Sequence, residues 1–342
     1  MKAVVIRQHG EVDKLRVEEV ETPSPAPDEV LVQVKACALN HLDIWVRTGV
    51  PGQRMPLPII PGSDIAGVVK KAGALVRGVK MGDRVVISPG ISCGRCAHCL
   101  SGRDNLCASY SIIGENRNGG CAEYVSVPGV NVIPIPGKLT FDEAAAIPLV
   151  FLTAWHMLVS RAQVRPGEDV LVHAAGSGVS SAGIQIARLL GARVIATAGS
   201  DGKLKKAREL GASETINYKK LDFYEETKKL TRRAGVDVIL DHIGADTWER
   251  NIRCLKSGGR LVTCGVTSGY EVATDIRYIF FRRLSILGST MGPKGELLTV
   301  MSLIEKGMLR PVIDSSFPLS DLAAAHKRMQ ERKGFGKIIV NP

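Results

Sequence analysis

Four cysteines, Cys93, Cys96, Cys99 and Cys107, lie within a 15-residue stretch, separated by two, two and seven residues. Thiolates at this spacing can close a tetrahedral zinc shell. Such a shell leaves no open position, so its metal is structural, since catalysis needs a vacant or water-filled site. In a reducing compartment this clustering favours a metal over disulfides. An iron–sulfur cluster is the rival, disfavoured by the exposed-looking Arg95, Arg103 and Asp104 of the same loop. His98 falls inside the last short step and reads as solvent-facing. Cys37, Cys121, Cys254 and Cys264 are dispersed in apolar or Gly-rich surroundings and read as small buried hydrophobes.

The second chemical signal is Gly-rich. Residues 170–173 lead through Ala174-Ala175-Gly176-Ser177-Gly178-Val179-Ser180 into a helical pattern ending near Leu190. Strand, small-residue turn and helix let the backbone approach a pyrophosphate, with free N–H groups and a positive dipole end at the helix start. Ser180 stands where the final glycine is usual, and the loop taken alone is equally a bland turn. The next strand ends Ala196-Thr197-Ala198-Gly199-Ser200, without the carboxylate that would bind a ribose, and Lys203 follows. A hydroxyl and an ammonium suit a 2′-phosphate, which favours NADP(H). Asp201 leaves NAD(H) open, and Lys203 as a solvated helix residue is the plain alternative.

Two kinds of texture must position these groups. Residues 1–140 carry short strands between Pro and Gly turns, at 2–7, 29–36, 65–69 and 84–87, a β-rich, barrel-like pattern. From about residue 141, strands at 169–174, 193–197, 214–217, 236–241, 260–264 and 285–287 alternate with helices at 180–190, 201–210 and 221–231. That alternation argues for a parallel sheet with right-handed crossovers. Helices at 296–306 and 321–332 and a strand at 337–340 close the chain.

A length of 342 residues predicts two domains, and 45% hydrophobic with 23% charged residues excludes disorder. The net charge of +11 is scattered, without a basic block, so it points to anionic small molecules such as phosphorylated cofactors and not to nucleic acid. The charge-free stretches 144–160 and 170–187 are too short or too interrupted to span a membrane, and the N-terminal apolar run is too short for a signal peptide. A cytoplasmic protein is expected.

With these parts in this order, the chain resembles the medium-chain dehydrogenase/reductase superfamily of zinc alcohol dehydrogenases and quinone oxidoreductases along essentially its whole length. Besides the cysteine lobe and the Gly-rich loop, the resemblance is carried by Ala38-Leu39-Asn40-His41-Leu42-Asp43, Pro61-Gly62-Ser63-Asp64-Ile65-Ala66-Gly67, Gly82-Asp83-Arg84-Val85, Ala144-Ala145-Ala146-Ile147-Pro148 and Gly336-Lys337-Ile338-Ile339-Val340. It implies an α/β protein with a GroES-like β-rich catalytic domain at 1–150, bearing the zinc lobe at 93–107. A doubly wound Rossmann domain for NADP(H) follows at 151–289, and 290–342 returns to the catalytic domain. By texture alone that tail would be a third layer. The resemblance also implies a homodimer or homotetramer, through sheet edges near 285–291.

Position by position, the catalytic-zinc ligands of the alcohol dehydrogenase branch fall on Asn40, Ser63 and about Leu149, its adjoining Glu on Asp64, and the start of its proton relay on Leu42. Three ligands are gone, so metal-assisted alcohol oxidation loses its basis. What remains resembles the quinone oxidoreductase and enone reductase branch, which uses no catalytic metal and mostly lacks the cysteine lobe. The chain reads as a hybrid with one structural zinc. By the same resemblance Gly176, Ser177, Gly178 and Val179 face the pyrophosphate, and Ser200, Lys203 and Tyr218 the adenosine phosphate. His242, Cys264, Gly265 and Val266 lie near the nicotinamide, and Phe335, Gly336 and Lys337 close over it. Tyr218 is alternatively a strand-end packing residue.

The expected reaction is hydride transfer from NADPH to a quinone or an α,β-unsaturated carbonyl, whose conjugation reduces the need for a Lewis acid. Candidate catalytic residues are Asn40, His41, Asp64 and Thr153. His41 equally suits the pyrophosphate, Asp43 reads as fixing the loop after Asn40, and Trp45 and Phe151 read as core or substrate wall. Two other readings stay open: a zinc alcohol dehydrogenase with improvised ligands (Cys37 or His41 with Asp64), and a non-catalytic NADPH-binding protein.

Overall fold

The computed structural model describes residues 1–52 and 55–342. The chain divides into two compact units: Met1–Leu149 with Pro293–Glu305 and Arg310–Pro342, and Val150–Gly292 with Lys306–Leu309.

The first unit begins with strands β1 (Lys2–Val5) and β2 (Arg16–Glu19), an antiparallel pair. β3 (Glu29–Ala38) buries Val30, Val32 and Val34 by strand alternation and then Ala36, Cys37 and Ala38 in succession. β4 (Asp64–Ala72), β5 (Arg84–Ile87), β6 (Gly90–Ile91), β7 (Ser111–Ile112), β8 (Tyr124–Pro128) and β9 (Val132–Pro134) follow. The sequence places the ends of β3 and β4 at 36 and 65. Ala38 instead pairs with Asp64 across the ladder, so both strands run further toward the site. The helix His41–Thr48, unmarked in the sequence pattern, starts directly after β3.

The second unit carries a six-stranded, all-parallel sheet: β10 (Asp169–Val172), β11 (Arg193–Ala198), β12 (Glu214–Asn217), β13 (Val236–Asp241), β14 (Leu255–Thr263) and β15 (Ser285–Gly288). Their order across the sheet is β12-β11-β10-β13-β14-β15. The order reverses between β10 and β13, the switch point at which doubly wound sheets bind ligands. β14 starts before residue 260 because it follows directly on the helix Trp248–Cys254, with a register shift between Val236 and Val238 on its partner. The charge-free segment at 144–160 contains the helix Pro148–Trp155, continued by a π-helical stretch His156–Arg161. Among the described residues no helix is long and apolar enough to cross a membrane.

The last strands, β16 (Ile313–Pro318) and β17 (Lys337–Asn341), belong to the first unit, where the sheet runs β16-β17-β3-β4-β5-β9 with β8 on β3. The tail is therefore not a third layer. The core of this unit joins Val30, Val32, Ile65, Val85, Val125 and Val340 among others.

Candidate functional site

In the first unit three buried polar side chains meet. β17 pairs antiparallel with β3, Ile339 opposite Ala38, which sets Lys337 beside the end of β3. Its Nζ donates to Asn40 Oδ1 at 2.5 Å and to Asp64 Oδ2 at 2.8 Å. Asn40 Nδ2 donates to the same Asp64 oxygen at 2.9 Å, and the Leu149 N–H donates to Asp64 Oδ1 at 2.8 Å. Asn40, Asp64 and Lys337 are 6%, 0% and 3% exposed, so this charge pair is shielded from water. Asp43 lies behind it, accepting the Asn40 N–H at 2.7 Å and the Gly62 N–H at 2.9 Å. Burial pushes the Asp43 carboxyl up to about 6, against the pull of the two N–H groups and the Lys337 charge. Gly62 has φ +101°, and a Cβ there would fall 2.6 Å from Cys37 Sγ and 2.9 Å from Cys121 Sγ, so the turn into β4 requires glycine.

Asn40 and Asp64 are thus brought together, and Asp43 fixes their loop as expected. Lys337, expected to close over a nicotinamide, engages its ammonium with Asn40 and Asp64. The sequence missed this because the partners lie 297 and 273 residues away. His41 is half-buried at the start of the helix, its ring edge-on to Trp45 at 5.2 Å. Thr153 belongs to the other unit, on the helix Pro148–Trp155, its hydroxyl buried without a partner. Phe151 is core. The Ser63 hydroxyl is also buried and unpartnered.

Among the described residues Cys37, His41 and Asp64 do not come together as a group arranged to hold a metal. Cys37 is buried against Cys121, and its hydrogen bond with that thiol, followed by burial, pushes it up. Both Asp64 oxygens already accept donors. Among the described residues the only group of three or more His, Cys, Asp or Glu arranged to hold a metal is Cys93, Cys96, Cys99 and Cys107. All four sulfurs lie within 4.8 Å of one another, with Cys96–Cys99 at 3.5 Å and Cys93–Cys99 at 3.9 Å. A tetrahedral zinc shell places sulfurs about 3.8 Å apart, so the residues fit the ion. His98, Arg95 and Arg103 are exposed. Asp104 is half-buried, accepting the Lys294 N–H at 3.0 Å, which ties the lobe to the returning helix Lys294–Glu305.

In the second unit β10 runs through Ala174, at φ +48°, into the helix Gly178–Leu189, capped by Ser177, whose Oγ accepts the Ser180 N–H at 3.1 Å. Ser180 stands where the glycine is usual, and its Oγ donates to the His173 carbonyl at 2.6 Å. The glycine that lets helix and sheet approach is Gly183, where a Cβ would fall 2.8 Å from Leu240 Cδ1. The sequence reading passed it over. His242, after β13, reaches back with Nε2 2.9 Å from Ser177 Oγ and 3.0 Å from Ser180 Oγ. Helix start and His242 thus share the switch point, which fits a dinucleotide pyrophosphate.

At the end of β11, a Cβ on Gly199 would fall 2.9 Å from the Tyr218 hydroxyl, so glycine leaves room for that ring beside Ser200. Tyr218 is 46% exposed, against the packing alternative. Ser200 caps the helix Asp201–Leu210, and Lys203 supplies the N–H it accepts, at 3.4 Å. Cys264 is only half-buried as a residue, correcting the expectation of a core position, and burial of its thiol pushes it up to about 12. Val266 is 41% exposed. Phe335 is buried in the first unit, its N–H on Asp314 Oδ1 at 2.9 Å, and Gly336 takes φ +105°.

A GroES-like β unit with a four-thiolate lobe and a doubly wound dinucleotide unit define an oxidoreductase of two parts. Residues 26–137 match the family described as alcohol dehydrogenase GroES-like domain, and residues 178–306 the zinc-binding dehydrogenase family. A zinc-type alcohol dehydrogenase-like protein of Schizosaccharomyces pombe is 33% identical, with 97% of each chain covered. The quinone oxidoreductase of Homo sapiens is 32% identical over 99% of this chain and 97% of its own. A solved structure described as an NAD-dependent alcohol dehydrogenase is 51% identical, with a TM-score of 0.96 and both chains fully covered. The chain belongs to the medium-chain dehydrogenase/reductase superfamily.

Proposed function

We propose that this protein is an NADP(H)-dependent reductase of quinones or α,β-unsaturated carbonyls, with zinc held only in the cysteine lobe. The observation that carries the reading is the engagement of Asp64. Its two oxygens accept from Leu149, Asn40 and Lys337, while Asn40, Ser63 and Leu149 stand at the three positions where the alcohol dehydrogenase branch holds its metal. An amide already hydrogen-bonded, a buried hydroxyl and an apolar side chain make no zinc site.

Bound dinucleotide would supply the hydride. The chain's residues bind and orient: the start of the helix Gly178–Leu189 for the pyrophosphate, and Ser200, Lys203 and Tyr218 for the adenosine end. Asn40 acts by position, since its amide is committed to Lys337 and Asp64. His41 remains a candidate donor to the oxygen that gains charge. A conjugated acceptor spreads that charge, so it needs less polarisation than a simple ketone.

The alcohol dehydrogenase reading is kept by the 51%-identical structure, described as NAD-dependent. Elemental analysis of chelator-free protein, with NADPH and NADH turnover on a quinone, an enone and a primary alcohol, decides between them. One zinc per chain with quinone or enone reduction is expected. Two zincs with NAD-linked alcohol oxidation would replace the proposal.

A further inference from the structure

The second helix of the dinucleotide unit carries an acid that the NADP(H) reading leaves unexplained. Asp201 opens the helix Asp201–Leu210, one residue past the position from which a carboxylate would bind an adenosine ribose. A free carboxylate there would repel a 2′-phosphate.

It is not free. Asn217, the buried last residue of β12, pairs across the ladder with Ala198 and donates Nδ2 to Asp201 Oδ1 at 2.7 Å. The Lys219 N–H donates to Asn217 Oδ1 at 3.1 Å, which fixes the amide with its NH2 toward Asp201. The Lys220 N–H returns to the Asn217 carbonyl at 3.0 Å, and this turn carries Lys220 Nζ to 2.7 Å from Asp201 Oδ2. Each carboxylate oxygen therefore has a donor, one from a rigid buried amide and one from an ammonium. These two donors hold the Asp201 carboxyl below the usual carboxylate range, the Lys220 bond contributing most.

We propose that Lys220 is a positioning residue for cofactor choice: with Asn217 it clasps Asp201, offsetting the charge of this acid next to Ser200 so that an adenosine 2′-phosphate is accepted there. This rests on the NADP(H) reading above. Lys220 acts through Asp201 and need not touch the phosphate. Without the clasp, Asp201 regains the ability to repel a phosphate and to accept a bond from a ribose 2′-hydroxyl.

The test is calorimetric binding of 2′,5′-ADP and of 5′-AMP to the intact protein, which needs no acceptor substrate and no turnover. Wild type is expected to prefer 2′,5′-ADP. Lys220→Ala lowers that preference about fivefold, the size an exposed charge pair supports. In an Asp201→Ala background, the same change moves the preference less than twofold. An equal loss in both backgrounds means that Lys220 contacts the phosphate directly, and no loss in either means that the clasp is idle; each overturns the proposal while leaving the NADP(H) reading standing. A wild type preferring 5′-AMP overturns both. Unchanged melting of the variants shows that the fold survives.

Discussion

The two sites are built in opposite ways. The candidate dinucleotide site of the second unit is local: a strand end, a run of small residues and a helix start within about a dozen residues. The polar cluster of the first unit is non-local: Asn40 after β3, Asp64 at the start of β4 and Lys337 at the start of β17, brought together by strand pairing and linked through their side chains. The first tolerates substitution wherever the backbone path is kept, as Ser180 shows. The second holds an ion pair away from water and depends on every member, because removing one partner of such a pair strands the other.

The largest expected effect follows from that dependence. Lys337→Met leaves Asp64 buried without its cation and should cost about 3–5 kcal/mol in chemical denaturation. Adding Asp64→Leu should restore part of the loss, since both charges are then gone. A single variant within 1 kcal/mol of wild type would erase the contrast between the two sites.

Acid should strike the first unit through His326. Its ring is fully buried with both nitrogens unpartnered, and burial, followed by the repulsion of Arg47, pulls the imidazole down to about 3. A histidine depressed on folding binds its proton only in the unfolded chain between pH 6.5 and 3, so its contribution to stability is present above pH 6.5 and lost as pH falls. The expected loss is on the order of a few kcal/mol by pH 3. His326→Leu should flatten stability between pH 6.5 and 4; an unchanged slope would show that the ring finds a partner in solution.

Stripping zinc from the cysteine lobe should lower the thermal midpoint by roughly 5–10 °C. Binding of 2′,5′-ADP to the second unit should stay within twofold. A comparable loss in that binding would show that the two sites do not fail independently.

In the local site, Gly183→Ala drives a methyl toward Leu240 in the core and should cost about 1–3 kcal/mol. Ser180→Gly removes the hydroxyl bond to His173 and should cost only about 1 kcal/mol. The reverse order would mean that Ser180, and not Gly183, sets the approach of helix to sheet.

Much of this was legible in advance. The cysteine spacing names its metal group because four ligands within 15 residues need little help from the rest of the fold. The alternation after residue 141 gives a parallel sheet because period and punctuation are local properties. The start of the helix at Gly178, two residues before the expected position, was hidden because a serine cap resembles any loop serine until its N–H partner is known. The helix His41–Thr48 was hidden because Asp43, its stabilising acid, also serves the backbone of Gly62.

By itself, the sequence determined the kinds of chemistry available: four thiolates that can close a metal shell, a small-residue turn before a helix, and an amide, a hydroxyl and a carboxylate at Asn40, Ser63 and Asp64. Tertiary structure alone decided where the charges go. Lys337 becomes the partner of Asp64, and Lys220 that of Asp201, only when strand pairing brings distant or turned residues within hydrogen-bond reach. A charge meets its counter-charge through space and not along the chain, so sequence can name the donor and the acceptor but not the bond.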